Sequence, residues 1–149
     1  MPEPATGPSV AALFDQLCLR WAREVDLMVI EVGRVFPTLV VLPRDAAADE
    51  VAIRVEGLRG DLAARGAAIV AELRDTVAEH EPRGLVFFTE MRLPDNSDGI
   101  GVYVTLGAPD FRRALGYQVV RDPAGLAHVE RGDDPPVAAF TWLDALLSR

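Results

Sequence analysis

The middle of the chain shows the clearest pattern of apolar and polar positions. Small or apolar residues recur every three to four positions on one predicted helix face, at Leu62, Gly66, Ile69, Leu73 and Val77. Asp61 is the predicted N-cap of this helix, and Gly66 predicts that the helix backbone approaches a sheet closely. Residues 82–84, Pro-Arg-Gly, predict a stop between this helix and the segment that follows. Residues 85–88 are apolar at every position, which predicts a strand, extending to residue 92, that is covered on both faces.

A second apolar stripe predicts a helix near the start of the chain. Ser9 is placed to cap it, and Gly33 to end it. Residues 27–30 fit either a last helical turn or a short strand, and we favour a helix that continues to about Val32. The stripe itself contains Val10, Leu13, Phe14, Leu17, Cys18, Trp21 and Val25.

Shorter alternating segments predict the remaining elements. Residues 35–42 and 51–55 are predicted strands joined as a hairpin, although a helix from near Asp49 is the alternative for the second segment. The turn sequence at 94–99 leads into a predicted strand at 100–106 with one apolar face. The elements predicted after it are a single-turn helix at 109–113, strands at 117–121 and 126–131, and a closing helix at 137–147.

This element order predicts an α+β fold. Tight turns favour antiparallel pairing, and the central helix supplies one crossover connection. We therefore predict a mixed, mainly antiparallel sheet of about five strands, with a central crossover helix and helices at both ends. Residues 1–8 form a predicted flexible tail, and residues 9–149 one α+β domain.

Composition narrows the classes of function. The formal net charge is −8, which disfavours nucleic-acid binding because phosphates are repelled. All 15 basic residues are arginines, so chemistry that requires lysine is excluded. Cys18 is the one cysteine, which excludes an internal disulfide and multi-cysteine metal sites. Without an apolar membrane span or signal-peptide pattern, we expect a cytoplasmic protein that does not bind membranes.

Several short motifs resemble functional sites and are better explained otherwise. His128 and Glu130 reproduce the His-x-Glu of zinc deaminases without the paired cysteines that this chemistry requires. The 57–60 segment has KH-loop glycine spacing but predicts a plain turn. The 95–98 loop fails the calcium-loop pattern. His80 is a predicted helix-end residue, and Cys18 a packing residue rather than a nucleophile.

The remaining candidate is a polar rim where the central strand ends. Carboxylates in such a place can bind a divalent cation or take part in acid–base chemistry, or they can belong to a solvated hairpin loop. We predict a binding site there, with no catalytic residue, metal ligand or cofactor assigned. Its residues are Glu90, Arg92, Asp95, Asp98 and Tyr103.

Residues 35–131 also resemble a group of uncharacterised small bacterial and phage proteins. The shared features are a proline-flanked early strand, a helix, a strand closing in Thr89-Glu90, and a later strand running into an Arg121-Asp122 turn. In that group small and aromatic residues commonly follow the glutamate, where this chain has Met91-Arg92. The resemblance implies a shared fold and no particular activity.

The leading functional hypothesis is a non-catalytic binding or regulatory protein that acts through protein–protein contacts, as a homodimer or with a protein partner. Its basis is the set of large apolar residues in the two terminal helices, which a small sheet leaves partly uncovered: Phe14, Trp21, Phe140, Trp142 and Leu146. The alternatives are a small metal-dependent hydrolase that uses the rim around Glu90, and a structural subunit of a larger assembly.

Overall fold

The computed structural model describes residues 9–45, 47–55 and 62–147, and side chains of the second helix from residue 65 onward. Three predictions lie outside the described residues. They are the tail at 1–8, the turn at 57–60 and the Asp61 cap.

The first helix, α1, spans Val10–Val32 and confirms the predicted boundaries. Its N-cap Ser9 accepts a hydrogen bond from the Ala12 N–H through its hydroxyl oxygen (3.2 Å). Gly33 ends the helix with a left-handed φ of 86°, which glycine adopts without strain. The predicted stripe is buried from Phe14 to Val25, whereas Val10 and Leu13 are exposed. Residues 27–30 are helical, as favoured.

Six strands form one sheet in the order β2-β1-β3-β4-β5-β6. The strands are β1 Thr38–Pro43, β2 Val51–Arg54, β3 Pro82–Arg92, β4 Asp98–Thr105, β5 Arg112–Arg121 and β6 Ala127–Arg131. The second helix, α2, spans Leu62–Glu79 and makes the crossover from β2 to β3. The α+β class is confirmed, with one strand more than the predicted five.

Every described pair of neighbouring strands is antiparallel, so the predicted mixture is absent from the described sheet. The reason lies in the crossover. Both β2 and β3 are antiparallel to β1 and therefore run in the same direction, but β1 lies between them.

The sheet separates two apolar layers. Val86 and Phe88 of β3 face α1, and Trp21 stacks on Phe88 at 5.8 Å. Leu85 and Phe87 face α2 and the C-terminal 3-10 segments Val137–Ala139 and Thr141–Leu147. Residues 85–88 are thus buried on both faces, as predicted.

Three strands begin earlier than the sequence predicts, and one of them, β4, starts at Asp98 instead of residue 100. The Pro82-Arg83-Gly84 stop belongs to β3, because Pro82 is its first residue and the ladder shifts register there, where a missing N–H is tolerated. Strand β5 begins at Arg112 instead of residue 117. The single helical turn predicted just before it is present as the 3-10 segment Pro109–Phe111.

Strand β4 differs from its prediction because both of its faces are buried. Tyr103 and Thr105, on the face expected to be open, are fully buried. Phe140, which arrives from the C-terminal segments, stacks on the Tyr103 ring at 5.4 Å. Gly66 also differs, since it lies against the side chain of Trp142 rather than against the sheet. No described helix is long and apolar enough to cross a membrane.

Candidate functional site

The structure divides the predicted rim between the two faces of the sheet. Glu90 and Arg92 share the parity of Phe88, so they lie on the α1 face, and Arg92 pairs with Asp98 across the β3–β4 ladder. Tyr103 points to the opposite layer. The five predicted residues therefore do not form one site.

Glu90, Arg92 and Asp98 line an open cleft of about 760 Å³ beyond the C-terminal end of α1. Strand β5 supplies Val119 and Arg121 to the same cleft. Arg121 Nη2 donates a 2.8 Å hydrogen bond to the Gly33 carbonyl oxygen. A cation is favoured at this position because the last carbonyl groups of a helix are unpaired.

The carboxylates of the cleft are partly neutralised. Arg34 Nη2 donates to Glu90 Oε1 over 2.8 Å, in a pair whose side chains are 54% and 43% exposed. Arg92 has longer contacts, 3.5 Å to Asp98 Oδ1 and 3.4 Å to Asn96 Oδ1. The lining of the cleft therefore contains two arginines and two carboxylates, and Arg34 adds a guanidinium group beside it through the pair with Glu90.

The arginine that pairs with Glu90 lies over an aromatic ring, which it shares with Arg54. The guanidinium carbons of Arg34 and Arg54 lie 4.5 Å and 4.2 Å from the centroid of the Phe36 ring. Such cation–π contacts hold long side chains in place at an exposed site. Arg121 was not among the predicted site residues, because only the folded sheet brings it to the same cleft as Arg92.

Tyr103 belongs to a buried polar group instead of the cleft. Its hydroxyl donates a 2.8 Å hydrogen bond to Asp144 Oδ1, and the Asp144 carboxylate also pairs with Arg112. Burial, followed by the bond to Asp144, raises the pKa of Tyr103 well above its usual value. This arrangement fastens the C-terminal 3-10 segment to the sheet.

Asp95 is a loop-closing residue. Its Oδ1 accepts from the backbone N–H (3.0 Å) and hydroxyl of Ser97, and its Oδ2 accepts from Gln118 Nε2 (2.9 Å). The Ser97 hydroxyl, ahead of the other causes, lowers the pKa of the Asp95 carboxyl. Because Asp95 supports the β3–β4 turn in this way, it is not available to a ligand in the cleft.

The remaining predicted motifs stay separate from the cleft. Cys18 is buried in the α1 layer, and burial raises the pKa of its thiol, which suits packing rather than nucleophilic attack. His80 directly follows α2, and His128 on β6 contacts Glu130 at 3.3 Å. Within the described residues, no three His, Cys, Asp or Glu side chains are grouped to bind a metal ion.

A second cleft, of about 510 Å³, lies between α1 and β5. It is lined by Cys18, Tyr117, Arg113 and Arg131, among others. Here both arginines have close carboxylates, since Arg113 pairs with Asp15 at 3.0 Å and Arg131 with Asp134 at 2.7 Å. Its charges are therefore balanced within the chain.

The outer face of α1 carries exposed apolar side chains. Leu19 is 72% exposed, Ile30 52% and Leu27 44%. The large residues expected to be uncovered belong to the core, since Phe14, Trp21, Phe140 and Leu146 are buried and Trp142 is half-buried. The prediction that these five residues form a partly uncovered contact surface is thus wrong.

Comparison of the chain with protein-family models, curated proteins and solved structures found no match in any of the three.

Proposed function

We propose that this chain is a non-catalytic binding or regulatory protein that acts through protein–protein contacts, and that α1 joins it to a second copy of itself. The observation that carries the proposal is the exposure of Leu19, Leu27 and Ile30. These residues lie on the side of α1 that points away from the sheet, where a soluble helix normally carries polar side chains.

The charged residues beside these apolar side chains favour a second copy of the chain as the partner that binds to this face of α1. In an antiparallel pair of α1 helices, one register places Leu19 of each copy against Ile30 of the other. The same register places Arg23 against Asp26, because both pairs are centred on the same point of the helix. A two-fold axis repeats each contact. The interface thus combines apolar contacts with two complementary ion pairs.

Arg23 and Asp26 are available for these pairs. Arg23 is exposed and makes no ion pair with any described carboxylate. Asp26 uses only Oδ1, which accepts from the Val129 N–H at 3.1 Å, and its Oδ2 has no hydrogen-bond partner among the described residues. Neither residue has to leave an existing side-chain ion pair to form the interface.

The metal-dependent hydrolase receives no comparable support. Glu90 is paired with Arg34, and Asp95 is bonded to Ser97 and Gln118. These contacts would have to be broken before the rim could bind a cation.

Sedimentation equilibrium tests the proposal. The wild-type chain, of 16.1 kDa, should sediment at twice this mass. Ile30→Glu should weaken dimerisation by at least about tenfold, because a charge buried in an apolar contact costs more than about 1.4 kcal/mol. The matched control is Leu126→Glu, since Leu126 is 69% exposed outside α1 and its replacement should leave the dimer intact.

Circular dichroism verifies that each variant is folded. A wild-type chain that is monomeric at every concentration, or an Ile30→Glu variant that dimerises like the wild type, contradicts the proposal. An equal loss in Leu126→Glu would mean that the contact lies elsewhere.

A further inference from the structure

We propose that the cleft beyond α1 is a binding site for a small organic anion, whose carboxylate or phosphate group is held by Arg92 and Arg121. This site is separate from the outer face of α1 and does not depend on dimerisation. The ligand at this rim is thus an anion, whereas a divalent cation was one of the ligands expected from the sequence.

First, the guanidinium groups of Arg92 and Arg121 have hydrogen-bond donors that are not used by close carboxylates. Elsewhere Arg113 and Arg131 have carboxylate oxygens at 3.0 Å and 2.7 Å. Arg92, in contrast, approaches its carboxylate only to 3.5 Å, and Arg121 bonds to the Gly33 carbonyl and to no described carboxylate. A guanidinium group has five donors, so both retain donors that an anion can occupy.

The second support is the placement of these arginines on the sheet. Arg92 lies at the end of β3 and Arg121 at the end of β5, with β4 between them. In the ladders Arg92 is level with Asp98 and Val119, and Arg121 lies two residues further along β5, so their backbones are about 12 Å apart. Both border the same cleft. An anionic group between them can accept hydrogen bonds from both sides.

The third support is the size and lining of the cleft. Its volume of about 760 Å³ lies within the range of small-molecule sites. Between the two arginines, Val119 provides an apolar surface on which the carbon skeleton of a ligand can rest. This lining suits an organic acid or a phosphate ester better than a bare ion.

Two lining carboxylates oppose an anion, and one of them, Glu90, is already paired with Arg34. The other, Asp98, stands on β4 between the arginines, and its side chain is 91% exposed. Its removal should strengthen anion binding by lowering repulsion and by freeing Arg92. For a cation site the same substitution would weaken binding, so Asp98→Asn distinguishes the two by sign.

The experiment measures binding of potassium phosphate and sodium succinate by isothermal titration calorimetry, with sodium chloride held at matched ionic strength. Binding of either probe is expected, and the preferred one separates phosphate from carboxylate ligands. Arg92→Gln and Arg121→Gln should each raise the Kd about tenfold. Arg74→Gln, an exposed arginine on α2 with the same charge change, should leave the Kd unchanged.

Asp98→Asn should lower the Kd for the same probe. The proposal is overturned if neither probe binds, if Arg74→Gln weakens binding as much as Arg92→Gln, or if Asp98→Asn raises the Kd. If Arg121→Gln does not fold because the Gly33 bond is lost, Arg92→Gln and Asp98→Asn still decide the outcome. Repetition in the Ile30→Glu background separates this result from dimerisation.

Discussion

Gly66 of α2 packs directly against the indole of Trp142, so that a Cβ atom added at position 66 would lie 2.8 Å from Trp142 Cδ2. The indole cannot easily move away. Its Nε1 donates to the Ala139 carbonyl oxygen at 2.9 Å, and its ring meets the Phe87 ring edge-on at 6.0 Å. The glycine thus allows α2 to contact the C-terminal segment.

Gly66→Ala should therefore lower the free energy of unfolding, although alanine is the better helix former. The overpacking costs about 1–3 kcal/mol, and the gain in helix propensity is about 1 kcal/mol. The expected net loss is about 1 kcal/mol, measured by urea denaturation. In a Trp142→Leu background the same change should stabilise the chain by about 1 kcal/mol. Stabilisation by Gly66→Ala in the wild-type background would disprove the packing argument.

The sequence predicted those parts of the fold that depend on local signals. The ends of α1 follow from Ser9 and Gly33, whose capping roles require no tertiary contact. The burial of residues 85–88 follows from their uniform apolarity. These features can be predicted from the sequence because each is determined by residues that lie close together in the chain.

Features that depend on distant residues could not be predicted in the same way. Tyr103 alternates with apolar neighbours like an exposed residue, but Phe140 covers it. The cleft was located only in part, through Glu90, Arg92 and Asp98. Arg121 was missed because its nearness to Arg92 depends on the strand order, which periodicity does not contain.

Tyr103→Phe should cost about 1.5–3 kcal/mol of stability, because the hydroxyl donates to a charged carboxylate. Asp144→Ala should cost more, about 3–5 kcal/mol, because it leaves Arg112 largely buried without its counter-ion. Urea denaturation of both variants provides the comparison. Tyr117→Phe is a control for the loss of a tyrosine hydroxyl, since Tyr117 makes no contact with Asp144. A smaller loss for Asp144→Ala than for Tyr103→Phe would contradict the assignment.

The chain has two tyrosines, and burial is the leading cause that raises the pKa of both Tyr103 and Tyr117 above the usual value of 10.0. A folded-state pKa above the unfolded value stabilises the fold fully below that unfolded value. The contribution is then lost as the pH rises through the folded-state pKa. Stability should therefore fall on the alkaline side of pH about 10.

An alkaline titration followed by tyrosinate absorbance measures this effect. Tyrosinate should appear together with the loss of the circular dichroism signal, above the pH at which free tyrosine ionises. In Tyr103→Phe the fall in stability on the alkaline side should be shallower, because one of the two linked groups is gone. Ionisation of both tyrosines near their usual pKa, with the fold intact, would refute the predicted burial effect.

The way α1 is fastened to the sheet affects the order in which the chain can fold. Asp26 bonds to Val129, 103 residues later, and Asp15 pairs with Arg113, 98 residues later. During synthesis α1 leaves the ribosome well before β5 and β6 exist. Strands β1, β3 and β4 can cover part of its apolar side before then, but the two contacts that fasten α1 to β5 and β6 form last.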